Sequence, residues 1–194
     1  MKSEKLKRKR GFTVLESIVA IFILSLSISG AFSAVQASLS QSIIAKDEIK
    51  AFYLAQEAVE MIRNKRDANQ LAIISTGSGH WLRGIAEADD ASNPCYFGKT
   101  CRVDATQAGG TYIFLCPGSW GSCPMLNQDM ADSGNTAYMY GYGSGGLWRT
   151  TNFKREIQIE SINANEIAVT VRVSWTKGVI NKEFKAKTHL FNLI

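Results

Sequence analysis

Lys7-Arg8-Lys9-Arg10-Gly11-Phe12-Thr13-Val14-Leu15-Glu16 decides how this chain must be read, because it joins a basic leader to a long apolar run. Lys2, Lys5, Lys7, Arg8, Lys9 and Arg10 precede Gly11, with Glu4 the only acid among them. From Phe12, apolar and small residues continue to at least Val35, and no charge except Glu16 appears before Lys46. A secretory signal peptide combines a basic start, an apolar core of roughly 7–15 residues and a small-residue cleavage site. Val35-Gln36-Ala37 is the best such site here, but the run is too long for that template and carries a carboxylate near its start. A membrane-spanning helix needs about 20 apolar residues, and Ser17 to Val35 comes close. Basic residues ahead of it orient that end toward the cytoplasm. A carboxylate at the bilayer centre costs about 2.5–3.5 kcal/mol on insertion scales and less near an edge, so Glu16 calls for a partner.

Arg10-Gly11-Phe12-Thr13-Val14-Leu15-Glu16 and the apolar segment behind it resemble the processing site of type IV prepilins and type II secretion pseudopilins. The resemblance implies a membrane-embedded aspartate peptidase that cuts between Gly11 and Phe12 on the cytoplasmic face and N-methylates Phe12. Lacking a Cβ, Gly11 suits close approach of a catalyst to the backbone. The same resemblance gives Glu16 an assembly role, pairing with the terminal amine of a neighbouring subunit. Opposite charges that are costly alone in lipid become tolerable together. The local alternative uses the four-residue spacing of Phe12 and Glu16 on one helical face. Glu16 then neutralises its own chain's amine and the positive helix start.

Between Phe12 and Arg66 there is no proline, and Gly30 is the lone glycine. Ile49, Phe52, Ala55, Val59 and Ile62 recur at three- and four-residue steps, with Lys46, Lys50, Glu57, Glu60 and Asn64 on the other side. That is an amphipathic helix with a core-facing stripe. The spacing predicts one helix over 12–66, of which about 12–36 is the transmembrane and assembly half and the rest lies on a sheet. Leu54 to Asn64 is similar to the same position in minor pilins of the pilus-modification group and in I-type minor pseudopilins. One departure from the major pilins is the lack of a helix-kinking proline in the membrane half. Ser25, Ser27, Ser29, Gly30 and Ser33 cluster there instead, open to local melting or to close helix packing in the membrane.

The leader's charges account for the whole net charge of +5, so the remainder is formally neutral. Bulk charge therefore gives no reason to expect nucleic acid as a partner. Past the helix, 67–194 is expected to form an extracytoplasmic globular head. Ser75–Gly79 and Glu87–Pro94 read as loops, with Trp81, Leu82 and Ile85 covering a sheet or helix edge. Cys95, Cys101, Cys116 and Cys123 suit disulfides outside the cytoplasm. Of the three possible connectivities, the two local loops Cys95–Cys101 and Cys116–Cys123 are favoured, each closing a short turn-rich segment. Zinc is the rival, but the spacings exceed those of a zinc knuckle and no histidine is near. Asn127, Asp129, Asp132 and Asn135 are oxygen-rich, a set that suits calcium, but they lack EF-hand spacing and read rather as a hydrated loop. Gly141-Tyr142-Gly143-Ser144-Gly145-Gly146 satisfies a dinucleotide pattern on paper, but no strand–helix unit surrounds it. With Tyr138, Tyr140 and Trp148 it makes a glycine–aromatic loop, either a binding surface or a cover folded back on the sheet.

Thr111–Leu115 reads as a strand. Phe153–Ile162, Ile167–Trp175 and Glu183–Phe191 alternate, with turns at Asn163–Asn165 and Thr176–Gly178, and predict an antiparallel meander packed on the helix stripe. Ile157 and Ile159 face one way, Glu156 and Glu160 the other, and Lys154-Arg155 reads as a solvated strand end. The strand triplet again resembles the same minor-pilin group. His80 and His189 join no catalytic constellation, so no catalytic residue, cofactor or metal is expected. The expectation is an α+β, pilin-like fold, with leader 1–11 removed. The chain is read as a minor pilin-like structural subunit, not an enzyme. The family resemblance implies prepilin peptidase/N-methyltransferase, other pilins or pseudopilins, the assembly platform and the membrane as partners. It also implies an inner-membrane location with the head outside, then a surface pilus or pseudopilus. The alternative is a membrane-anchored or secreted β-rich binding protein with a conventional signal sequence.

Overall fold

The structure is a computed structural model that describes residues 11, 13–107 and 111–193. Leader residues 1–10 and Phe12 lie outside the described residues. Helix α1 spans Val14–Thr76. It is followed by β1 (Thr100–Val103), β2 (Ile113–Leu115), β3 (Asn127–Asp129), β4 (Tyr140–Gly141), β5 (Trp148–Thr150), β6 (Phe153–Asn163), β7 (Glu166–Lys177) and β8 (Ile180–Phe191). The strands form a five-stranded sheet in the order β2-β1-β6-β7-β8 and a small sheet in the order β4-β3-β5, with antiparallel pairing throughout. The chain divides into two units, Met1–Asp47 and Glu48–Ile194.

In the first unit the helix carries apolar side chains on every face, and Val14, Leu15, Ile18, Phe22, Leu24, Phe32 and Val35 are all exposed. The serines add no free donors at several points. Ser25, Ser27 and Ser33 donate to the carbonyls of Ile21, Ile23 and Ser29 at 2.8, 2.9 and 3.0 Å. This back-bonding is what a hydroxyl does in a helix when no water is at hand. The helix is continuous through Gly30.

In the second unit the core lies between one face of α1 and one face of the large sheet. Ala51, Ala55 and Ala58 are fully buried and small enough to admit the sheet closely, while Leu54 and Ile62 fill the space beside them. The sheet answers with Ile157 and Ile159 on β6 and with Val169, Val171 and Val173 on β7, where Ile157 stands opposite Val171 and Ile159 opposite Val169. Burying each such aliphatic side chain contributes about 1.5–3 kcal/mol. Gly178, at φ 62°, turns β7 into β8, a backbone region glycine enters without a Cβ penalty.

The helix runs to Thr76, ten residues beyond the expected 12–66. Arg66, Asn69 and Gln70 are polar yet buried, and they break the apolar stripe from which the boundary was read. Asn69 Nδ2 donates to Trp81 O and Arg83 O at 3.1 and 2.9 Å, and Arg66 donates to Phe191 O at 2.7 Å. These bonds replace water for groups that would otherwise be buried and unpaired. Gly77, at φ 70°, ends the helix, its N–H bonding Ile73 O at 2.8 Å. Trp81, Leu82 and Ile85 belong to the core.

One further reading is corrected. Asn127–Asp129 is strand β3 rather than hydrated loop, and Asp129 is buried, accepting from Ala131 N at 3.0 Å and Thr136 Oγ1 at 2.7 Å. The first glycine of the glycine–aromatic loop is a packing requirement. A Cβ on Gly141 would stand 2.6 Å from Thr106 Oγ1 and 2.8 Å from Asp104 Oδ1. Those two groups already bond each other at 2.7 Å and have little room to yield. Gly141→Ala is therefore expected to lower head stability by about 1–3 kcal/mol, read as a reduced urea midpoint with an unchanged m-value.

Candidate functional site

Gly11 is exposed, and a Cβ there would meet nothing within 4 Å. The helix begins three residues later, at Val14, and Thr13 caps it, its Oγ1 accepting Glu16 N–H at 3.3 Å. Thr13-Val14-Leu15-Glu16 is thus a capping-box sequence, a local signal that the reading of Glu16 alone overlooked. It gives Glu16 a place in the helix start, where a negative charge is favoured. The Glu16 side chain is exposed and forms no ion pair among the described residues. Helix α1 is long and apolar enough to cross a membrane.

The head holds its charges differently. Arg155, expected to be solvated, is completely buried on the helix-facing side of β6. Its Nη1 donates to Leu54 O at 3.1 Å and pairs with Glu57, and its Nη2 donates to Val103 O at 2.9 Å. Glu57, expected on the polar side of α1, turns to meet it from a position still one-third exposed. Glu156, expected on the open face of the sheet, does face outward but is completely covered. Its Oε1 accepts from Gly121 N at 2.7 Å and Cys123 N at 3.2 Å, and its Oε2 pairs with Arg172, whose guanidinium lies 4.6 Å from the Trp120 ring.

The Cys116–Cys123 disulfide closes the loop that covers Glu156, and a second disulfide joins Cys95 to Cys101. All four sulfurs are buried or nearly so. Among the described residues there is no cluster of acids, histidines and cysteines able to hold a metal ion. His189 stands exposed on β8, 2.7 Å from Glu166, and His80 Nδ1 accepts Leu82 N–H at 3.1 Å.

Burial pushes the Tyr142 phenol above its ordinary value of 10, while Arg155 and Arg102 oppose the rise and Asp104 adds to it. Above pH 10 an unfolded tyrosine ionises while the folded Tyr142 stays protonated. Its contribution to stability is therefore complete below that pH and is lost as pH rises through the folded value. Tyr142→Phe is expected to flatten the alkaline fall in urea midpoint relative to the parent chain.

Residues 6–32 match the family model for the prokaryotic N-terminal methylation motif. No curated protein and no solved structure matches the chain. A prepilin-type N-terminus, one long helix and an antiparallel β-sheet head define the class: an α+β, pilin-like fold.

Proposed function

We propose that this chain is a minor pilin-like structural subunit, processed by prepilin peptidase and assembled through its N-terminal helix into a pilus or a secretion pseudopilus. The observation that carries this reading is the coincidence of the methylation motif with Glu16. That side chain is an acid with no ion pair among the described residues, at the start of a helix whose first unit is exposed on all sides. Lipid satisfies the apolar faces before assembly, and neighbouring helices satisfy them afterwards. The carboxylate is satisfied by neither and needs a cation. Phe12, freed by cleavage after Gly11, supplies one as a methylated terminal amine on an adjacent subunit. The basic leader holds the N-terminus in the cytoplasm, which places the head and its two disulfides on the oxidising side. The head carries buried ion pairs and two disulfide-closed loops.

Mass spectrometry of the N-terminus tests this directly. Expression with a prepilin peptidase is expected to yield a chain beginning at methylated Phe12, and a bulky Gly11 substitution to retain the leader. A chain beginning at Ser38 would instead make this a secreted protein with an ordinary signal peptide.

A further inference from the structure

Arg102 on β1 stands opposite Phe114 on β2, on the sheet face away from α1. Its guanidinium carbon lies 5.6 Å from the Phe114 ring and 4.6 Å from the Tyr142 ring, so two aromatic faces hold it. Its Nε is buried and has no partner. The two terminal nitrogens remain open to solvent, and Arg102 forms no hydrogen bond or ion pair among the described residues. Arg63, Arg66, Arg155 and Arg172, by contrast, each meet a carboxylate. Asp104, two residues along the strand, is engaged by Thr106 and Gln107 instead.

An arginine cannot shed its proton, so a half-buried guanidinium without a counter-charge is an unsatisfied group. Its stacking between rings fixes the plane of the fork, which lowers the loss of freedom on binding. We propose that Arg102 is a receptor for a carboxylate, taken as an acidic side chain of a neighbouring protein subunit. The fork geometry matches a carboxylate through two parallel N–H···O bonds. A phosphate calls for more positive charge, and among the described residues no second cation stands over either ring. A sugar acid needs polar partners for its hydroxyls. Here the walls are ring faces, and the Tyr142 hydroxyl is turned inward, donating to Arg155 O at 3.4 Å. That the acid comes from a neighbouring subunit rests on the assembly reading above; binding of a peptide carboxylate does not.

The test uses the full chain, dispersed as monomer in detergent micelles and followed through the backbone amide shifts of Phe114 and Tyr142. It is titrated with acetyl-Ala-Glu-Ala-amide, with the glutamine counterpart, with glucuronate and with acetate. Saturable shifts are expected with the glutamate peptide and not with the glutamine peptide. Affinity is expected to fall about tenfold in Arg102→Lys, which keeps the charge but loses the fork, and to vanish in Arg102→Gln. Phe114→Leu, which keeps the charged fork but frees its plane, is expected to weaken binding as well. Near-ultraviolet circular dichroism verifies that each variant is folded. Equal response to the glutamine peptide or binding retained in Arg102→Gln would overturn the proposal, and saturable shifts with acetate but none with the glutamate peptide would overturn its choice of a protein side chain. Tighter binding of glucuronate would overturn its choice of ligand. Because the chain is unassembled throughout, these outcomes are independent of whether Glu16 drives filament formation.

Discussion

Glu57→Ala is expected to destabilise the head by about 3–5 kcal/mol, more than Arg155→Met, although the two side chains form one ion pair. The asymmetry follows from where each partner sits. Arg155 has no exposed surface, whereas a third of the Glu57 side chain is open. Removing Glu57 leaves a cation in the core that can neither deprotonate nor reach water. Two backbone carbonyls, of Leu54 and Val103, then remain as its hydrogen-bond acceptors among the described residues. Removing Arg155 leaves a carboxylate that rotates outward and hydrates. Methionine then fills most of the vacated volume, and the loss reduces to two hydrogen bonds, about 1–2 kcal/mol in all. Glu57→Ala on the Arg155→Met background is expected to be nearly neutral. Urea unfolding of the four chains, followed by tryptophan fluorescence, measures the cycle. Equal losses from the two single substitutions would mean that packing, and not the stranded charge, sets the energy.

The position of Arg155 was open to reading in the alternation Phe153, Arg155, Ile157, Ile159, which sets it on the apolar face. Its partner was not, because Glu57 lies 98 residues earlier and on what reads as the polar side of a helix. The same contrast runs through the fold. The β6-β7-β8 meander alternates over long strands, broken only near the register shift between Ser161 and Asn163 and at the covered Glu156 and Ala168, and the helix has an uninterrupted apolar run, so both are legible without tertiary information. Residues 67–76 were not, since Arg66, Asn69 and Gln70 occupy buried positions with polar side chains that find partners on the folded loop and β8. The small sheet is built from strands of two or three residues, too short to express any period. The N-terminal motif is a linear signal and was visible at once. The Arg102 clamp draws Phe114 and Tyr142 from separate segments, and no spacing announces it.

Glu16→Ala is expected to insert into the membrane at least as well as the parent chain and yet to enter filaments about ten- to a hundredfold less, the range that close charge pairs support. Insertion improves because an acid is removed from the apolar run. Incorporation falls because the terminal amine of the adjacent subunit loses its counter-charge. The competing account is local: Glu16 N–H bonds Thr13 Oγ1 at 3.3 Å, so Glu16 belongs to the helix cap, and its carboxylate steadies the first turn. Thr13→Ala separates the two, since it removes the cap at about 1 kcal/mol while leaving the charge. If the intermolecular pair governs, Thr13→Ala assembles nearly as the parent does, and Glu16→Gln, which keeps the polar shape without the charge, fails like Glu16→Ala. Sheared filament fractions probed for the subunit against a membrane-fraction control give the ratio. A Thr13→Ala defect equal to that of Glu16→Ala would assign the acid to the helix start and remove it from the assembly mechanism.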